Sequence, residues 1–394
     1  MIDYIIVFSL LILFALVNES IKSKRLSTLF FILISFLLII FSGLRYYTGW
    51  DFEVYQQFYN AIYFSIDPLI TINSTLYRNF DVGFRLFSLS AIYSSWLPVL
   101  LISVISVGTS FLLVSKSDKR IFGIFVLFYF WYEYFSVFSI QRQVLAHGLI
   151  VLGVFILLNN SSNKKYIIYF LLSIISITIH SSALIASVLY IIAFVLSNKK
   201  IEVNRVLFYS IICFSIFMLI SNVNVSEVTY DILKPVFLMI GGYGKVLEGK
   251  MQYYFLYLKP FKVGLSFRYI EYLTVLIISY LFFDRIKSQL KNNYSLKLFY
   301  LSFYMSLFHV LFSGLLSSVG IIQERVECYF YLTHVILLSF LIFLVPKKLI
   351  YYLLFVVFAS VFVGVKYDRL LNSDAYLGAD SHYQRFIPYK SILD

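Results

Sequence analysis

Long apolar stretches alternate with short polar ones along almost the whole chain. A helix that crosses a bilayer needs about 20 consecutive apolar residues. Stretches of this kind fall near 2–17, 28–44, 95–115, 121–138, 141–158, 165–179, 181–197, 205–221, 269–284, 296–313, 326–345 and 348–365. The pattern predicts about twelve transmembrane helices. Residues 165–197, with His180 at their middle, read either as two short tilted helices or as one re-entrant pair. Three longer polar segments interrupt the series, at 45–94, 222–268 and 366–394, and within the first of them 82–94 predicts a short interfacial helix. The expected fold class is all-α, a single integral membrane domain over 1–394.

Composition fits a lipid solvent better than water. Hydrophobic residues make up 61% of the 394 and charged ones 13%, too few charges to solvate a surface of this size. Phe and Tyr number 42 and 34, as expected for apolar helices with aromatic collars at the membrane boundaries. Cys213 and Cys328 both lie in apolar runs, so no disulfide framework or thiol metal site is legible. The start Met-Ile-Asp-Tyr lacks a basic region and a small-residue cleavage site, and reads as a retained helix.

The net charge of +12 is unevenly placed. Alternate connections carry Lys22, Lys24, Arg25, Lys116, Lys119, Arg120, Lys164, Lys165, Lys199, Lys200, Arg205, Arg285, Lys287, Lys291, Lys297, Lys347 and Lys348, against the acids Glu19, Asp118, Glu202 and Asp284. The rest of the chain is close to neutral. The basic set therefore belongs in the cytoplasm, where it faces anionic headgroups, and a nucleic-acid partner is excluded. Both termini then lie outside, as do the three long segments, namely the 45–94 loop, the large 222–268 loop and the 366–394 tail. Cytoplasmic connections are too short for a nucleotide-binding domain, and no G-x-x-x-x-G-K phosphate loop occurs. Chemistry is expected on the far side of the membrane, with donors carried on lipid.

Several chemically able residues fall at the outer ends of the predicted spans. Arg45 begins the run Arg45-Tyr46-Tyr47-Thr48-Gly49-Trp50-Asp51-Phe52-Glu53-Val54-Tyr55; Gln141-Arg142-Gln143 opens the fifth span; His180-Ser181-Ser182 divides 165–197; Arg268 precedes the ninth span; Gln323-Glu324-Arg325 precedes the eleventh. Arg45, Arg142, Arg268 and Arg325 are all arginine, on the side where basic residues are disfavoured. A lone boundary arginine often only anchors a helix in the headgroup layer. Four of them suit bidentate binding of phosphate or carboxylate, and a helix N-terminus such as that at Arg142 adds free amides for an anion. Asp51, His180 and Glu324 are candidate general bases, while His147, His309, His334 and His382 read as structural.

At these residues the sequence resembles the EpsG branch of the Wzy polysaccharide polymerases. The matching motifs are Arg45…Gly49-x-Asp51…Tyr55, Asp81-x-Gly83-Phe84, Arg142-Gln143-x-x-Ala146, His180-Ser181-Ser182-Ala183, Arg325 and Pro388-Tyr389. They run in order along almost the whole chain. Asp81 departs from the pattern, where glutamate is more usual, but keeps the charge. The resemblance implies a bacterial inner-membrane enzyme, active on the periplasmic or exterior face. Such an enzyme joins undecaprenyl-pyrophosphate-linked repeat units into O-antigen, capsule or exopolysaccharide, alongside a flippase and a chain-length regulator. Donor and acceptor glycans are then the expected partners, with Arg45, Tyr55, Arg142, Gln143, Arg268 and Arg325 binding substrate and no cofactor or metal required. The sequence leaves the base open among Asp51, His180 and Glu324. Rival readings are a metal-dependent lipid-phosphate-sugar glycosyltransferase using Asp51-x-Glu53, and a flippase, which would call for internal repeats and mid-membrane charges. An acyltransferase would want a basic residue within the spans to receive an acyl group from the cytoplasmic side.

Overall fold

A computed structural model describes residues 2–46, 48–49, 51–221, 230–231, 234–235, 248–249, 252–253, 264–346, 348–371, 389 and 391–392, omitting the side chains of 321, 324 and 369–371. Most of the 222–268 segment, most of the tail including Pro388, His382 and the Glu324 side chain therefore lie outside the described residues. Among the described residues all repeating structure is helical, with one isolated antiparallel bridge between Arg45 and Ser391.

The first half holds α1 (Ile2–Asn18), α2 (Lys24–Gly43), α3 (Phe52–Tyr63), α4 (Pro68–Asn73), α5 (Val82–Ser88), α6 (Leu97–Ser115), α7 (Phe122–Tyr129), α8 (Phe135–Ser139) and α9 (Gln141–Asn159). The second holds α10 (Lys164–Ile179), α11 (Ala183–Asn198), α12 (Arg205–Ile220), α13 (Phe267–Leu281), α14 (Phe283–Gln289), α15 (Asn293–Leu315), α16 (Gly320–Glu327), α17 (Tyr331–Phe340) and α18 (Leu349–Leu371). Polar caps set several of the starts. Asn204 accepts the Val206 amide at α12, Ser266 the Tyr269 amide at α13 and Asn292 the Tyr294 amide at α15.

Among the described residues six helices are long and apolar enough to cross a membrane: Lys24–Gly43, Leu97–Ser115, Lys119–Ser139, Gln141–Asn159, Asn293–Leu315 and Leu349–Asp368. Shorter apolar helices include Ile2–Asn18, Ala183–Asn198, Arg205–Ile220 and Tyr331–Leu344. The chain is thus a polytopic membrane protein. Burial separates centre from rim: 89% of the Lys119–Ser139 window is buried, against 22% for Leu349–Asp368. The outward face of α18 carries Leu354, Val357, Phe358 and Val361, all exposed. A band of that kind is stable against acyl chains, not water. At the centre, α9 packs on α6, α10 and α11, and α15 packs on α11, α12 and α17.

Three segments depart from the sequence pattern. Residues 121–138 form no uniform helix, because a π-turn at Phe130–Tyr134 separates α7 from α8; it places Glu133 in the bundle interior. The expected span 326–345 is broken, with α16 ending at Glu327 and α17 starting at Tyr331. The 45–94 segment holds three helices and two 3-10 turns, not one short helix. Residues 165–197 resolve as two helices, α10 and α11, with His180–Ser182 at the turn.

Candidate functional site

Arg45 follows the C-cap of α2 and is 1% exposed. Its guanidinium donates to the carbonyls of Ser42 and Val137, the latter at 2.6 Å. It also lies over the Phe138 ring at 4.8 Å. The tail covers this end: Ile392 donates its amide to the Leu44 carbonyl at 2.8 Å, and the Tyr389 hydroxyl donates to the Phe41 carbonyl at 2.6 Å. Arg45 is thus committed to backbone where three segments meet.

From Arg45 the chain turns at Gly49, whose φ is +114°, a conformation open to glycine but strained for other residues. A Cβ there would stand 2.8 Å from the Phe138 carbonyl carbon, so the turn rests directly on the end of α8. The turn delivers Asp51, exposed at the start of α3, and α3 is tied to α9 by the Tyr59 hydroxyl, which donates to Gln141 Oε1 at 2.8 Å. Glu53 accepts from Gln57 one turn further on. Among the described residues no group of three His, Cys, Asp or Glu side chains gathers for a metal ion.

Arg142, the second residue of α9, is the centre of a first cluster, called the outer cluster after its place in the expected topology. Its Nη1 lies 3.7 Å from Asp81 Oδ2 and donates to the Asn79 carbonyl at 3.4 Å. Its Nε donates to the Tyr55 hydroxyl at 3.4 Å, and the guanidinium lies 5.1 Å from the centre of the Phe80 ring. The Asp51 charge also acts on Arg142. Burial raises the Tyr55 phenol above its ordinary range despite the nearby guanidinium, so it stays a neutral hydroxyl. Asp81 is brought in by α5, whose Gly83 sits against α10: a Cβ there would stand 2.7 Å from the Thr178 carbonyl carbon and 2.8 Å from the Ile179 nitrogen. His180 follows immediately. Its Nδ1 lies 2.8 Å from Ser182 Oγ, which lies 2.9 Å from the Tyr329 hydroxyl.

Arg268 belongs to a second group. Its Nε donates to the Tyr272 hydroxyl at 2.7 Å, and its guanidinium lies over the Tyr331 ring at 4.3 Å. Glu327, whose charge acts on Arg268, accepts from Gln323 at 2.8 Å and lies 3.9 Å from His309 Nε2. Helix α16 touches both groups, because it carries Glu327 and because Gln143 of α9 donates to the Arg325 carbonyl at 3.2 Å. The Arg325 side chain is exposed.

The sequence-predicted residues therefore divide. Tyr55, Arg142 and Asp51 gather, and His180 joins them through Gly83; Arg268 stands in the second group; Gln143 and Arg325 are linked through backbone; Arg45 is held in a knot beneath. The structure adds Asp81, Ser182, Glu327 and Tyr329 to the candidates. It also adds Glu133, whose Oε1 lies 3.2 Å from His147 Nδ1. The only sequence signal for Glu133 was a lone acid inside an apolar run, itself a mark of function at membrane depth.

The family scan matches the EpsG family over residues 27–391. The chain belongs to the EpsG family. No curated protein and no solved structure matches it. In this EpsG-family protein the matched region takes in both arginine groups, the His180 turn and, of the tail at Arg45, Tyr389 and Ser391.

Proposed function

We propose that this protein joins undecaprenyl-pyrophosphate-linked oligosaccharide repeat units into a surface polysaccharide, on the outer face of the bacterial inner membrane, through a bundle of about twelve crossings. Its EpsG membership over 27–391 supports a polysaccharide polymerase role. The observation that carries the reading is Arg142 at the start of α9, held by Asp81, on a helix that packs against α10, whose end is capped by His180.

In the reaction an acceptor-sugar hydroxyl attacks the anomeric carbon of the growing glycan while that carbon's bond to pyrophosphate breaks. The departing pyrophosphate gathers negative charge. Arg142 meets that charge with a two-pronged donor set, in a partly dry place where electrostatic stabilisation is strong, and the amides at the start of α9 add to it. Asp81 orients the guanidinium, and Asp51 keeps the local charge balanced. His180 takes the acceptor proton. Arg268 and Glu327, in the second group, fit a second lipid-linked substrate, while Arg45 positions the outer loop and touches neither. A flippase and a chain-length regulator are expected partners.

Liposomes containing the purified protein, supplied with lipid-linked repeat units extracted from a strain lacking the gene, should yield a ladder of products on a gel. In cells, the same deletion should leave a single-repeat band. Unchanged substrate in the liposomes, together with complete loss of the surface glycan in the deletion strain, would refute the polymerase reading and favour export.

A further inference from the structure

The turn between α10 and α11 contains a hydrogen-bond arrangement that helix capping does not explain. Ser182 occupies the N-cap position of α11, where a serine hydroxyl ordinarily accepts an amide of the first turn. Its side chain makes no such bond. The amides of Ala183, Leu184 and Ile185 are instead taken by the carbonyls of His180, Ser181 and Ser182. The Ser182 hydroxyl is directed elsewhere: to His180 Nδ1 at 2.8 Å and to the Tyr329 hydroxyl at 2.9 Å, 147 residues away in sequence.

With His180 in the tautomer that the Ser182 amide favours, Nδ1 an acceptor, each bond has one consistent direction. The Ser182 amide points its hydrogen at His180 Nδ1 at 3.3 Å, so that nitrogen presents a lone pair. Ser182 Oγ must then donate its single proton to Nδ1, because a lone pair facing a lone pair at 2.8 Å is repulsive. The Tyr329 hydroxyl in turn donates to Ser182 Oγ. A serine oxygen has two lone pairs; one is taken by Tyr329 and one is left to accept a further O–H. Ser182 and His180 are half-buried, while Tyr329 is buried. An incoming hydroxyl can therefore reach Ser182 and not the phenol behind it. Gly83 of α5, two residues after Asp81, packs against Thr178 and Ile179 just before this turn, which sets the turn near the Asp81–Arg142 pair.

The phenol is itself braced from below. Its backbone carbonyl accepts from the Tyr190 hydroxyl at 3.1 Å; the Tyr190 oxygen lies 3.0 Å from His147 Nε2, and His147 Nδ1 lies 3.2 Å from Glu133 on the π-turn. Buried networks of this kind fix the position of what they hold.

We propose that Ser182 is the group that touches the acceptor-sugar hydroxyl, relaying its proton to His180. This deepens the polymerase reading and rests on it. As the acceptor oxygen bonds to the anomeric carbon, its proton passes to Ser182 Oγ and the serine's own proton passes to His180 Nδ1. The electron pair of the broken carbon–oxygen bond leaves with the pyrophosphate, and the imidazolium gives its proton to water before the next turnover.

The test uses the liposome assay with repeat units extracted from the deletion strain, measured as the initial rate of dimer formation, alongside thermal unfolding of each purified variant. Losing a positioned acid–base group costs on the order of 10²–10⁴ in rate. Ser182→Ala should fall by about 10²-fold with unchanged unfolding temperature, and Ser182→Thr, which keeps a hydroxyl, should stay within roughly tenfold of wild type. Ser182→Ala at the wild-type rate would overturn the relay. So would equal loss in both variants with lowered unfolding temperatures, since the hydroxyl would then serve only packing. If wild-type protein forms no dimer in this assay, the polymerase reading itself falls, and the relay with it.

Discussion

Replacing Gly83 by alanine tests whether the outer cluster depends on how closely α5 lies against α10. The added Cβ would stand 2.7 Å from the Thr178 carbonyl carbon and 2.8 Å from the Ile179 nitrogen, whereas ordinary contact begins at 3.4 Å. Both neighbours are backbone and cannot rotate away, so α5 must lift by about 0.7 Å, an overpacking strain of roughly 1–3 kcal/mol. Asp81 lies two residues from the lifted point, and its 3.7 Å approach to Arg142 has little slack. A displacement near 1 Å at a reacting centre costs about 10²-fold in rate, so Gly83→Ala should slow chain elongation by about tenfold to a hundredfold. Gly108→Ala is the control, because its Cβ would meet only Ile39 Cδ1, at 3.8 Å. Elongation is read from the rate at which the product ladder lengthens in liposomes, with each variant's amount fixed by immunoblot. If Gly83→Ala lengthens chains as fast as Gly108→Ala, the cluster does not depend on this contact and the role of Asp81 fails.

Arg142→Lys keeps the charge and loses the fork, so elongation should drop by on the order of 10²–10³ while membrane levels hold; full-length polymer would remove Arg142 from the site. Arg45→Ala should act on stability, because it strands the carbonyls of Ser42 and Val137 at roughly 1–3 kcal/mol for each buried group left unpaired; an unchanged unfolding temperature with weaker donor binding would show instead that Arg45 touches substrate. Polymerisation should persist in EDTA, since guanidinium groups take the leaving-group charge, and activity lost to chelation and restored by manganese or magnesium would favour a metal at Asp51-x-Glu53.

Hydropathy made the helical frame legible, because lipid demands long apolar stretches and leaves little choice of element. The span at 121–138 was legible in the same way, but the π-turn within it and the break at 328–330 inside 326–345 were not, because mean hydropathy averages such local changes away. Glu133 illustrates this: its partner His147 is 14 residues off and across a π-turn, a separation no periodic pattern reveals. Arg142, Tyr55 and His180 could be read from their place at span boundaries. That Arg45 faces backbone could not be, since boundary arginines bound to carbonyls and boundary arginines awaiting phosphate have the same sequence signature. Gly49 and Gly83 show the reverse. Each was visible only as a motif letter, and each proves to be where an outer loop touches the backbone just before Arg142 or His180.

The bonds from residues 389–392 to the C-terminal end of α2 have a bearing on biosynthesis. Tyr389 reaches the Phe41 carbonyl across 348 residues, so α2 enters the membrane long before its closing partner exists. Contacts this distant in sequence form late, and the Arg45 corner must wait, incompletely covered, until residues 389–392 have been made and brought to it. Assembly of this corner should accordingly end there, with α2 completed by residues 389–392.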